Sequence, residues 1–120
     1  MKDKNKIKTP EQDEFTKLEN DESFREVIRR IVATAHPEKI ILFGSAARGK
    51  LKPESDLDLL VVKSGVHRRH LAQEIYQNLV GVGRAVDIVV VTPEDIERYG
   101  RSPALIIESA LSDGRVVYVN

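Results

Sequence analysis

The stretch IILFGSAARGKLKPESDLDLLVV, residues 40–62, restricts the fold more than any other part of the chain. Ile40 to Phe43 is apolar and β-prone, and it stops at Gly44-Ser45. A basic segment containing glycine and proline follows. A second β-prone run then opens on Asp56-Leu57-Asp58. Strand side chains alternate between faces, so Asp56 and Asp58 point the same way, roughly 7 Å apart at about 3.3 Å per residue. Like charges that close repel on a half-buried face unless a cation lies between them, and carboxylate oxygens with room for water suit Mg²⁺. The other end of the stretch suits an anion. Gly44 lets the backbone turn tightly, Ser45 is a good N-cap, and a helix start at Ala46-Ala47-Arg48 presents free N–H groups and partial positive charge to phosphate. Arg48 and Lys50 add charge nearby. One hairpin-like unit therefore offers a phosphate seat at Gly44, Ser45 and Arg48 and a metal seat at Asp56 and Asp58, the pair that a nucleoside triphosphate with Mg²⁺ requires. Taken singly, a Gly-Ser after a strand is only a turn and an Asp-x-Asp is a common surface feature. Their order and the apolar strands carry the argument.

Gly44-Ser45, ten residues, then Asp56-Leu57-Asp58 resembles the signature of the DNA polymerase β-like nucleotidyltransferase superfamily. The fuller string GSAARG…SDLDLLVV, in so short a chain, resembles the minimal nucleotidyltransferases (MNT), which are often the antitoxin halves of HEPN–MNT pairs. The likeness runs from about Val27 to Val119. It implies a palm-like α/β (α+β) fold, a small mixed sheet with helices packed on it, and carboxylates facing an open groove. It also implies two Mg²⁺ ions, ATP as donor, and a third carboxylate on a neighbouring strand.

That third carboxylate is expected at Asp87, the one charge in the apolar run from Ala85 to Val91. A carboxylate there is costly to bury unless paired or bound to metal. If this strand lies beside residues 57–62, then Asp56, Asp58 and Asp87 form one metal-binding and catalytic triad. The bland alternative leaves Asp87 at a wet strand end.

The remaining elements follow from local signals. Residues 1–20 are expected to be a flexible Lys-rich segment in which a short helix can start at Pro10, and residues 21–120 the nucleotidyltransferase domain. Phe24, Val27, Ile28, Ile31, Val32 and Ala35 recur at helical spacing. Ser23 with Glu26 reads as a capping box, and His36-Pro37 ends the helix. Residues 38–43 and 57–62 are predicted strands. After Lys63-Ser64-Gly65, a helix carries Leu71, Ala72, Ile75, Tyr76 and Leu79 on one face. Its leading His67-Arg68-Arg69-His70 can touch a triphosphate or a partner, or be a solvated helix start. Thr92-Pro93-Glu94-Asp95 begins a helix ending near Gly100, and Ser102-Pro103 begins another that ends at Asp113-Gly114. Val116 to Val119 is predicted as an edge strand.

Composition excludes several functions. The chain has 120 residues, enough for one modest core and too few for a separate substrate-binding domain beside the palm. Nineteen basic and nineteen acidic residues balance, which argues against strong nucleic-acid binding. There is no cysteine, compatible with a cytoplasmic location, and no apolar run of membrane-spanning length. The MNT resemblance implies a protein acceptor, a tyrosine hydroxyl of a HEPN toxin. The alternatives are a non-catalytic antitoxin that only masks its partner, or a transferase acting on a small molecule or an RNA end. Leu105, Ile106 and Leu111 offer a docking or self-association face, or are simply core.

Overall fold

The computed structural model describes residues 16–44, 47, 56–99 and 106–120, and the side chains of 106–109 are left aside. After helical residues 16–19, the order is α1 (Glu22–Ala35), β1 (Lys39–Phe43), β2 (Leu57–Val62), α2 (Arg68–Asn78), β3 (Val86–Val91), α3 (Pro93–Tyr99), α4 (Ile106–Asp113) and β4 (Arg115–Val119). The predicted helix start at Pro10, the Ser102-Pro103 start, and Ser45, Arg48, Lys50 and Leu105 lie outside the described residues.

The strands form one mixed sheet in the order β3-β2-β1-β4. β1 runs antiparallel to β2 and β4, whereas β2 and β3 are parallel and joined through α2. A parallel pair needs such a crossover because its strands start at the same sheet end. That topology brings the first residues of β2 and β3 side by side.

Alternation along the strands divides the core in two. Ile40, Leu42, Leu57, Leu59, Val61, Ile88 and Val90 pack against Val27 and Ile31 of α1 and Leu71 and Ile75 of α2. Ile41, Leu60, Val62 and Val91 make the opposite face with Ala110 of α4, and Ile96 of α3 packs on it. The apolar runs of β1, β2 and β3 suit a sheet covered on both sides, and both sides are covered.

The start of α1 differs from expectation. Asp21, not Ser23, is the N-cap: its carboxylate accepts from Phe24 N–H at 3.1 Å and from the Ser23 hydroxyl at 2.5 Å. Glu26 does not reach back as a capping box does, because Arg29 and Arg30 hold it at 2.5 and 2.7 Å. Two arginines one turn on out-compete the single N–H that a box would offer. The end of α1 is as expected: His36 adopts φ 46° and donates its N–H to Val32. At α3 the Thr92 hydroxyl accepts from Asp95 N–H at 3.1 Å, while Asp95 accepts from Thr92 N–H at 2.9 Å. β4 lies at the sheet edge, as predicted.

Candidate active site

Strand register decides where the acids meet. Asp58 is the second residue of β2, Asp87 the second of β3, and the two are register partners in the parallel pair. Partners in adjacent strands share a face. Here it is the face of Leu60, Val62 and Val91, at the sheet end beyond that small core. Asp87 is solvent-exposed and Asp58 half-buried. The Asp58 carboxyl is pushed above the ordinary aspartate range, first by burial, then by the charge of Asp87, a hydrogen bond shared with Asp87, and the charge of Asp56. Asp56 stands exposed one residue before β2. Among the described residues, the charges acting on Asp58 are thus negative.

Gly44 closes the other side. In the antiparallel β1–β2 pair Phe43 faces Asp58, so Gly44 leaves the strand directly against that carboxylate. Its φ is +76°, and a Cβ there would collide with Asp58 Oδ2 and stand 3.2 Å from its Cγ. Only glycine meets both demands, a left-handed backbone and contact with a carboxyl group. Ala47, in the loop that follows, is buried, and its carbonyl accepts from Arg115 Nε at 3.0 Å. The described part of the Gly44 loop is therefore tied to the first residue of β4. Sequence reasoning missed this tether, since 68 residues separate the partners and no local pattern signals it.

The residues present fit a divalent cation. The charges of Asp87 and Asp56 both act on half-buried Asp58, and positive charge beside it would relieve both the repulsion and the cost of its burial. Among the described residues no group of three or more acidic, histidine or cysteine side chains is placed to hold a metal ion by itself. That accords with an ion such as Mg²⁺, which keeps several waters and takes one or two carboxylates with oxygens of its substrate.

Other candidates fall elsewhere. His67 caps α2, its Nδ1 accepting from His70 N–H at 3.3 Å, with the two rings stacked 4.2 Å apart. Arg68 is paired with Asp95 at 3.0 Å. This basic cluster follows the C-terminal end of β2, whereas the acids stand at its N-terminal end, so it does not face a ligand held by Asp58 and Asp87. An apolar groove of about 570 Å³ between α1 and β4, lined by Phe24, Ile28, Val32, Val117 and Tyr118, also lies apart from the acids. It offers volume but few polar groups for chemistry. Among the described residues no helix is long and apolar enough to cross a membrane.

Comparison with known proteins agrees with this geometry. No curated protein sequence matches the chain. A protein from Sulfolobus solfataricus described as a nucleotidyltransferase has a similar structure, with TM-score 0.59 and 16% identity over 95% of this chain and 91% of that one. A mutant of the toxin–antitoxin MntA–HpeT also has TM-score 0.59, at 15% identity over 80% of this chain and 73% of the other. A toxin–antitoxin solved with AMP-PNP has TM-score 0.51 and 21% identity over 79% and 73%. At these identities the likeness is one of fold. The sequence model of the nucleotidyltransferase domain matches residues 22–117, a span that contains β1, β2, β3, the start of β4 and the three predicted site acids, Asp56, Asp58 and Asp87. The chain therefore belongs to the nucleotidyltransferase domain family, enzymes that transfer a nucleotidyl group.

Proposed function

We propose that the protein transfers AMP from ATP to a hydroxyl of a partner protein, a tyrosine of a HEPN-type toxin, and so acts as its antitoxin. The observation that carries this reading is the Asp58–Asp87 register pair standing against Gly44. The AMP-PNP bound by one structural relative supports an adenine nucleotide as donor. Two of the structural relatives are toxin–antitoxin pairs, which supports a protein partner. In the MntA–HpeT mutant two aspartates two positions apart are replaced by glutamate, the spacing of Asp56 and Asp58 here.

In this mechanism the backbone N–H groups after Gly44, with the Ser45 hydroxyl and Arg48, bind the β- and γ-phosphates. Asp56, Asp58 and Asp87 would hold two Mg²⁺ ions, which would supply charge neutralisation at the triphosphate and a lowered pKa of the attacking hydroxyl. Asp87, more exposed than its register partner Asp58, accepts the hydroxyl proton directly or through water. The acceptor oxygen bonds to the α-phosphorus, the bond to the bridging oxygen breaks, and pyrophosphate leaves with that electron pair. Asp58, the more buried acid, fixes the position of the centre against the sheet.

The test mixes the purified protein, ATP labelled at the α-phosphate, Mg²⁺ and the product of the adjacent gene. Label is expected on the partner protein and absent with EDTA. Asp56→Ala or Asp58→Ala should lose at least about a thousandfold in rate while the protein stays folded. Labelling by both variants at the parental rate contradicts the carboxylate assignment. Label in the RNA or small-molecule fraction alone contradicts the acceptor.

A further inference from the structure

We infer that Tyr76 is a positioning residue for Asp87, an inference that rests on the carboxylate assignment proposed above. β3 is an outer strand, bonded to β2 on one side only. In a parallel ladder alternate residues turn their N–H groups away from the neighbour. Ile88, next to Asp87, does so, and its outward N–H donates to the Tyr76 hydroxyl at 2.8 Å. The tyrosine thus supplies the acceptor that another strand would have offered. Tyr76 itself is 42% exposed, so the ring is not retained there by burial alone, whereas Leu71, Ile75 and Leu79 fasten its helix to the sheet.

A second tether lies on the other side of Asp87. Arg84 Nη1 donates to Ser23 Oγ at 3.2 Å and stands 3.6 Å from Asp21 Oδ1. The Arg84 side chain is only 6% exposed. Ala85 accepts from Leu57 N–H at 3.0 Å. Asp87 is therefore held between a clamp on α1 and the Tyr76 bond on α2. An exposed carboxylate on an outer strand needs such restraint, because a displacement of about 1 Å at a reacting group can cost about a hundredfold in rate. Arg84 also stabilises the start of α1, so Tyr76, which bonds to β3 alone among these groups, is the position at which the effect on Asp87 separates from general stability.

Tyr76→Phe keeps the ring and removes the acceptor. Three readouts are taken on the full chain: hydrogen exchange at the Ile88 amide, affinity for Mn²⁺ in the presence of AMP-PNP from the free-ion spin resonance signal, and kcat and KM for ATP in partner labelling. Exchange at Ile88 is expected to quicken about tenfold or more while β1 amides keep the parental rate. Mn²⁺ binding should weaken about tenfold and kcat fall about tenfold, with KM for ATP within about twofold. Faster exchange at Ile88 with parental Mn²⁺ affinity and kcat overturns the inference and leaves the carboxylate assignment intact. Asp87→Asn is run beside it. Parental labelling and Mn²⁺ affinity in that variant would show that the carboxylate assignment is itself wrong, and the inference falls with it.

Discussion

Asp58 is subject to opposing demands. Burial and two carboxylate neighbours penalise its charged form, yet a cation site needs that charge. Its pKa is raised in the folded state, so the folded chain binds this proton more tightly than the unfolded chain. The penalty is absent well below the ordinary aspartate value, grows as pH rises towards the folded pKa, and is complete above it. Asp58→Asn should therefore stabilise the metal-free protein once pH exceeds the folded pKa, while abolishing transfer. Urea unfolding with EDTA measures the first effect, and the labelling assay the second. Gly44→Ala should do the reverse, losing stability by roughly 1–3 kcal/mol because φ +76° and the Asp58 carboxyl both exclude a methyl group. The glycine and the paired aspartates were legible from sequence because each follows or opens a β-prone run. Tyr76 was legible only as part of an apolar helix face; nothing in its neighbourhood showed that its hydroxyl would meet a strand amide.

At the scale of elements, the strands β2 and β3 were readable from apolar, β-prone runs, and the start of α3 from a threonine-proline pair. The cap of α1 was not. Asp21 and Ser23 are both good N-cap residues, and the choice fell to a long-range partner, Arg84, that favours the carboxylate. Ser23 Oγ–H and Phe24 N–H, followed by the charge of Arg84, hold Asp21 below its ordinary pKa. Its contribution to stability is present above the ordinary value near 3.8 and is lost as pH falls through the lower folded value. Asp21→Ala should cost about 1–2 kcal/mol at pH 7 and Ser23→Ala about half that, with the difference narrowing on acidification below about pH 4. Thermal unfolding at pH 7 and pH 3 checks this. The α4–β4 junction carries a tighter constraint: a Cβ at Gly114 would collide with the Ala110 carbonyl and come within 2.6 Å of Ile41 Cγ2. Gly114→Ala is expected to lower stability by about 1–3 kcal/mol, seen as a reduced urea midpoint at unchanged slope.

For the molecule as a whole, the sheet order turns a sequence motif into a site. Gly44 and Asp58 are brought together by the β1–β2 antiparallel pair, in keeping with the hairpin-like unit read from residues 40–62. The third acid depends on β3 lying parallel to β2 in a register that pairs Asp58 with Asp87, and register is a property of the α2 crossover and both cores rather than of any short segment. The same topology sends the His67–His70 cluster to the opposite sheet end, so charge that reads as phosphate-binding in the sequence is separated from the acids by the length of a strand. The proposed function rests on Asp56, Asp58 and Asp87 holding divalent cations beside Gly44. Paramagnetic broadening by substoichiometric Mn²⁺, read on the amide spectrum with AMP-PNP present, tests this at residue resolution. The amides of Gly44, Asp58 and Asp87 should broaden first, with those of β4 beyond Arg115 and of His67 to His70 spared, and Asp58→Asn should remove the pattern. Broadening centred on His67 and His70, or the same pattern in the Asp58→Asn variant, would contradict it.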